Sequence, residues 1–211
     1  MNNMRNKVFP ESNGGILICG INWGGDPNGK DDGHSGKHAF TDKEHNSFRY
    51  SETLIEWFKV WGIEVDRSSN PGPLERSFIQ TNWCDSQSKS AAGISDDDYR
   101  RTELFKLIKQ YQPRAIVLTA VSLFPRFRAR AAEAGIRELK DHEQYLLKTA
   151  TGKQFRAWLA EYDKTNVLAV PHPSRFASIL GKSVAGWKQP ARYALSKVID
   201  IQSAAYKPLR L

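Results

Sequence analysis

The chain has 211 residues, the length of one ordinary domain and enough to bury roughly 70% of its unfolded surface. Its 40% hydrophobic and 26% charged residues are those expected of a soluble globular protein. The net charge of +8 favours a polyanionic partner, and two cysteines, Cys19 and Cys84, are too few for a four-cysteine cluster or zinc site.

The N-terminal stretch Met1 to Lys7 lacks the apolar core of a signal peptide. No apolar run approaches the ~20 residues of a membrane span, so a cytoplasmic protein with no membrane partner is expected. The first strand is predicted over Gly15 to Cys19. A long glycine-rich loop follows from Trp23 to His45, too long for a mere connector. Ser51 is then placed to cap a helix carrying Leu54, Ile55, Phe58 and Trp61 on one side and ending at Gly62. Phe78 to Asn82 reads as a second strand. A second helix is predicted from Asp96-Asp97-Asp98 through Leu104, Phe105 and Ile108 to Gln112, before Pro113.

Ala115 to Ala120 reads as a third strand, Arg126 to Leu139 as a third helix, and Lys153 to Tyr162 as a fourth. Asn166 to Val170 is the last apolar run, and a terminal helix starts near Pro190. The apolar runs lack strict alternation, as expected of parallel strands covered on both faces. Strands alternating with helices give a doubly wound α/β sandwich in a single domain.

Two motifs lie at the ends of such strands. One is Ile18-Cys19-Gly20-Ile21-Asn22-Trp23-Gly24-Gly25 and the other is Val170-Pro171-His172-Pro173-Ser174. In open α/β sheets, ligands bind where strands end. An amide and an imidazole delivered to one edge from two strands therefore point to an active site. The pair resembles the two signature motifs of the uracil-DNA glycosylase superfamily. Cys19-Gly20-Ile21-Asn22 is closest to the mismatch-specific branch, and Thr81-Asn82-Trp83-Cys84 to the single-strand-selective branch. Trp23 stands where those branches usually have proline.

The resemblance implies a three-layer α/β/α sandwich around a four-stranded parallel sheet, and it implies roles for individual residues. Asn22 would position a water against the sugar C1′. A rival register, Gly25-Asp26-Pro27, would give that task to Asp26. His172 would hydrogen-bond the pyrimidine O2 as negative charge develops there, an oxyanion-stabilising strategy. Asn82 would read the Watson–Crick edge of the extruded base, since one amide offers an acceptor and two donors. Phe40 would stack on that base, with Phe48 as the alternative. Gly24 would leave room at the pyrimidine 5-position, where the main uracil-removing branch has a blocking tyrosine. Phe176 would enter the duplex as the base leaves, with Arg175 as the competing wedge. Ser174, Ser122 and the Pro71-Gly72-Pro73 turn would touch the DNA backbone. Arg126, Arg128 and Arg130 would supply longer-range attraction.

The implied activity is that of a monofunctional DNA glycosylase. It would flip out a uracil or a 5-modified pyrimidine, hydrolyse the N-glycosidic bond and leave an abasic site, without a cofactor. No lysine lies at the motifs to form a Schiff base, so strand cleavage is not expected. Repair of uracil and removal of hypermodified bases from invading phage DNA both stay open. The protein would act as a monomer with DNA as its partner. The rival from another class is a catalytically weak or inactive nucleic-acid-binding module of the same fold. His34, His38 and His45 lie among Asp31, Asp32 and Asp42 in the long loop, whose glycines oppose the helix that a His-x3-His zinc pair needs; no metal is expected.

Overall fold

The computed structural model describes residues 13–22, 49–67, 72–85, 91–148 and 152–173, together with Ala191, Tyr193 and Leu195. Six strands form one sheet: β1 (Ile16–Gly20), β2 (Ile79–Asn82), β3 (Ala115–Leu118), β4 (Glu143–Lys148), β5 (Gln154–Glu161) and β6 (Asn166–Ala169). Their order is β2-β1-β3-β6-β5-β4. The first four in that order run parallel, while β5 is antiparallel to both β6 and β4. The molecule is thus α/β with a mixed six-stranded sheet, wider than the four parallel strands expected.

The helices are α1 (Arg49–Val60), α2 (Pro73–Arg76), α3 (Asp96–Arg100), α4 (Leu104–Tyr111) and α5 (Leu123–Arg130), with short 3-10 turns at Ala91–Gly93 and Ala131–Ala134. Side chains alternate between the sheet faces, and each face has its own core. Ile16, Ile18, Val117, Leu168 and Val170 meet Leu54, Trp57, Phe58 and Trp61 of α1. Leu17, Cys19, Ile116, Leu118, Val167 and Ala169 meet Leu104, Phe105, Ile108, Phe124 and Phe127 of α4 and α5. Every β1 residue is buried. Burial on both faces explains why these strands read as unbroken apolar runs. Among the described residues, no helix is long and apolar enough to cross a membrane.

Three helical expectations need correction. Lys153 to Tyr162 is not a helix; it holds strand β5 and a bridge at Tyr162. Phe155, Trp158, Leu159 and Tyr162 recur at i, i+3, i+4 and i+7 and so mimic a helical stripe. Pairing with β6 on one side and β4 on the other imposes the period of two instead. The helix expected over Asp96 to Gln112 is two. Ser95 caps α3 in a reciprocal capping box with Asp98, and α4 restarts at Leu104, whose N–H is held by Thr102 Oγ1 at 3.2 Å. The helix expected to reach Leu139 stops at Arg130, tightens into a 3-10 turn and is closed by Gly135 at φ 68°. Gly62, at φ 92°, closes α1 as expected.

Candidate functional site

The parallel strands end level with one another. Gly20 lies opposite Asn82, and Cys19 opposite Leu118. Leu118 in turn lies opposite Ala169. One residue further on, Thr119 N–H donates to Cys19 O and Val170 N–H donates to Leu118 O, both at 2.9 Å. Asn82, Gly20, Thr119 and Val170 therefore form a row across the sheet at its C-terminal edge. Residues at even steps from Ile16, Phe78 and Ala115 belong to the α1 side, so the row faces α1.

Within that row Gly20 is a gap. A Cβ built on it would overlap Asn82 Oδ1 and lie 3.7 Å from Thr119 Oγ1. The missing side chain is what lets the Asn82 carboxamide lie across β1 toward Thr119. The neighbouring indole holds the segment down: Trp83 is buried, its Nε1–H donates to Tyr99 O at 2.8 Å, and its ring meets Phe105 edge-on at 5.8 Å.

Tyr50, in the first turn of α1, closes the row from above. Thr119 Oγ1 donates to Cys19 O at 3.3 Å, and the Tyr50 and Thr119 hydroxyls share a hydrogen bond of 2.9 Å. The Tyr50 ring lies 5.5 Å from that of His172, tilted by 52°. His172 follows β6 by three residues and is half-buried. Burial raises the Tyr50 phenol well above its ordinary value of 10.0; the Thr119 hydrogen bond opposes this, and nearby Cys19 adds to it. Tyr50 is accordingly a neutral phenol throughout the physiological range, a hydrogen-bonding group rather than a base.

Asn22 lies two residues beyond Gly20, half-buried at the same edge. Pairing continues past β2 to hold that turn, since Trp83 N–H donates to Gly20 O and Cys84 N–H to Ile21 O, both at 2.8 Å. Asn22, Asn82 and His172 thus share one edge, with Gly20, Thr119 and Tyr50 linking Asn82 to His172. Sequence reasoning misses Tyr50 and Thr119. A helix start two residues before Ser51 puts Tyr50 in the first turn, and Thr119 falls inside the longer strand that the sequence suggests.

Ser122 is exposed just ahead of α5 and makes no capping bond. The arginines of that helix are held by local partners. Arg126 lies 3.9 Å over the Tyr99 ring and 3.8 Å from Asp96, Arg128 meets Glu138 at 3.0 Å, and Arg130 meets Glu133 at 2.7 Å. Cys19 and Cys84 are buried free thiols. Burial raises both, Cys84 to about 12, so neither is a nucleophile near neutral pH.

Gly24, Asp26, Phe40, Phe48, Ser174, Arg175 and Phe176 lie outside the described residues, as do His34, His38 and His45. Among the described residues no three His, Cys, Asp or Glu side chains are grouped to hold a metal ion. The chain matches no protein-family model and none of the curated proteins.

Proposed function

We propose that this protein is a monofunctional DNA glycosylase acting on a flipped uracil or 5-modified pyrimidine. The observation that carries the reading is the meeting of Asn22, Asn82 and His172 at one C-terminal sheet edge, contributed by the ends of three separate strands. Nothing in local sequence requires residues so far apart to meet. Two amides and an imidazole at one sheet edge, with an uncharged phenol beside the imidazole, suit recognition of a neutral heterocycle whose departure generates an anion.

In this reading, Asn82 reads the Watson–Crick edge, the gap at Gly20 leaving room for its amide. A rotated amide serves uracil or cytosine equally well, so Asn82 selects pyrimidines without naming one. His172 donates to O2 as the glycosidic bond breaks and negative charge moves onto the base. Asn22 holds the attacking water against C1′. Hydrolysis places the water oxygen on C1′, and the base leaves as an anion that is then protonated. The Tyr50 ring backs the imidazole, which keeps His172 from turning away from the base.

A panel of oligonucleotides tests this directly. Duplexes and single strands bearing uracil, 5-hydroxymethylpyrimidines or glucosylated pyrimidines are incubated with the protein and scored for abasic sites. Abasic product from at least one base is expected. Binding without product on every substrate would identify a nucleic-acid-binding module instead.

A further inference from the structure

The β4–β5 hairpin extends past the site's edge of the sheet. Pairing of β5 with β6 ends at Trp158 opposite Ala169, whereas pairing with β4 continues to Gln154 opposite Lys148. Because β5 is antiparallel to β6, Gln154 to Ala157 run on beyond the end of β6 from which His172 follows. At about 3.3 Å per residue this arm is about 13 Å long.

Its base is stiffly anchored. Trp158 stacks on Phe124 of α5 at 5.2 Å and 12°, and His142 meets the same two rings at 5.1 and 5.4 Å. Along the arm, Tyr145, Leu147, Phe155 and Ala157 turn to the α1-side core. Leu146 and Arg156, paired across the strands, turn to the other face, where Arg156 is exposed and Leu146 is 55% exposed.

The charge of this arm is one-sided. Between Glu143 and Glu161 the chain has Lys148, Lys153 and Arg156 and no carboxylate. The arginines of α5 are bound to carboxylates, but among the described residues Arg156 makes no ion pair. Lys153 is exposed. An extended cationic arm beside the site is complementary to a phosphodiester backbone.

We infer that the β4–β5 hairpin is a DNA-binding arm, with Arg156 and Lys153 contacting phosphates of the substrate on the β6 flank of the site. The inference rests on the glycosylase reading for its choice of polymer. In this role the arm supplies affinity and position, not base recognition, so its loss weakens binding equally across sequences.

The test is fluorescence anisotropy with a labelled duplex carrying a non-hydrolysable abasic analogue, titrated between about 50 and 200 mM salt. The variant Lys153→Gln/Arg156→Gln should bind roughly tenfold or more weakly. Its slope of log affinity against log salt should be shallower by about 2, near one unit for each phosphate no longer neutralised. Circular dichroism should show the fold unchanged, since both side chains are exposed. A charge-matched control, Lys106→Gln/Lys109→Gln on α4, should move the slope by less than half as much. An arm variant with wild-type slope, or a control that shifts it equally, overturns the arm while leaving the glycosylase reading standing. A wild-type chain with no salt-dependent affinity for DNA overturns both.

Discussion

Gly20 shows how one absent side chain shapes the site. An alanine there would press its methyl on Asn82 Oδ1, the far end of a flexible side chain, so the amide should turn aside while the strand survives. Gly20→Ala is therefore expected to keep the fold and lower kcat/KM on the preferred pyrimidine by tenfold or more. Asn82→Ala should cost about as much, and the double variant little more than either, because in the proposed reading both remove the same base contact. Additive losses would show that Gly20 acts independently of Asn82. At His172 the expectation concerns turnover: His172→Ala should fold and lose roughly 10²-fold or more in kcat, as a developing anion loses its donor. Unfolding, with normal chemistry in any surviving fraction, would make His172 structural. Asn22→Ala should damage turnover comparably and Asp26→Ala much less. The reverse order would move the water-positioning role to Asp26.

The strand ends also show where glycine serves the fold rather than the chemistry. Just before β1, a Cβ on Gly15 would overlap the Ser77 carbonyl and its Cβ, which are backbone-fixed neighbours in the segment leading into β2. Gly15→Ala must push β1 and β2 apart, and overpacking of this kind costs about 1–3 kcal/mol. Urea denaturation should show that loss, with activity per folded molecule falling less than for Gly20→Ala. Unchanged stability would mean that the two strands separate there freely. The β4–β5 hairpin belongs to the same scale. Its β5 strand has the apolar spacing of a helix, yet partners on both edges hold it extended. A turn signal is present, since Gly152 follows Tyr145-Leu146-Leu147 and adopts φ 81°. Only pairing distinguishes strand from helix there.

Across the whole molecule, burial has raised the thiols of Cys19 and Cys84 and the phenols of Tyr50, Tyr145 and Tyr162, the last two to about 12. At Tyr145 the Glu143 carboxylate, hydrogen-bonded to its hydroxyl, adds to the effect. Each group keeps its proton in the folded state at a pH where the unfolded chain has released it. The stabilisation is therefore complete below the ordinary values of 9.0 for cysteine and 10.0 for tyrosine, and fades as pH rises above them. Stability measured in urea should fall steadily from about pH 9 upward. Replacing both cysteines by alanine should delay the onset toward pH 10, where the tyrosines take over. A wild-type midpoint that is flat from pH 8 to 11 would mean that these groups are not protected as the fold implies.

Much of this architecture is written locally. The four apolar runs and the closing Gly62 identify β1, β2, β3, β6 and the end of α1 from sequence, because burial on both faces demands continuous apolar strands. Ser51, expected to cap α1, instead lies inside it, the helix starting at Arg49. The motif ends carrying Asn22, Asn82 and His172 are also legible, since each follows a strand. Other features depend on neighbours distant in the chain. The register that levels Asn82 with Gly20 and Thr119, the hydroxyl contact between Tyr50 and Thr119, and the choice of strand over helix for β5 are tertiary decisions. A side chain's chemistry and a segment's period are local properties. Which residues share an edge, and which period prevails when two fit, is set by hydrogen-bonded partners elsewhere in the sheet.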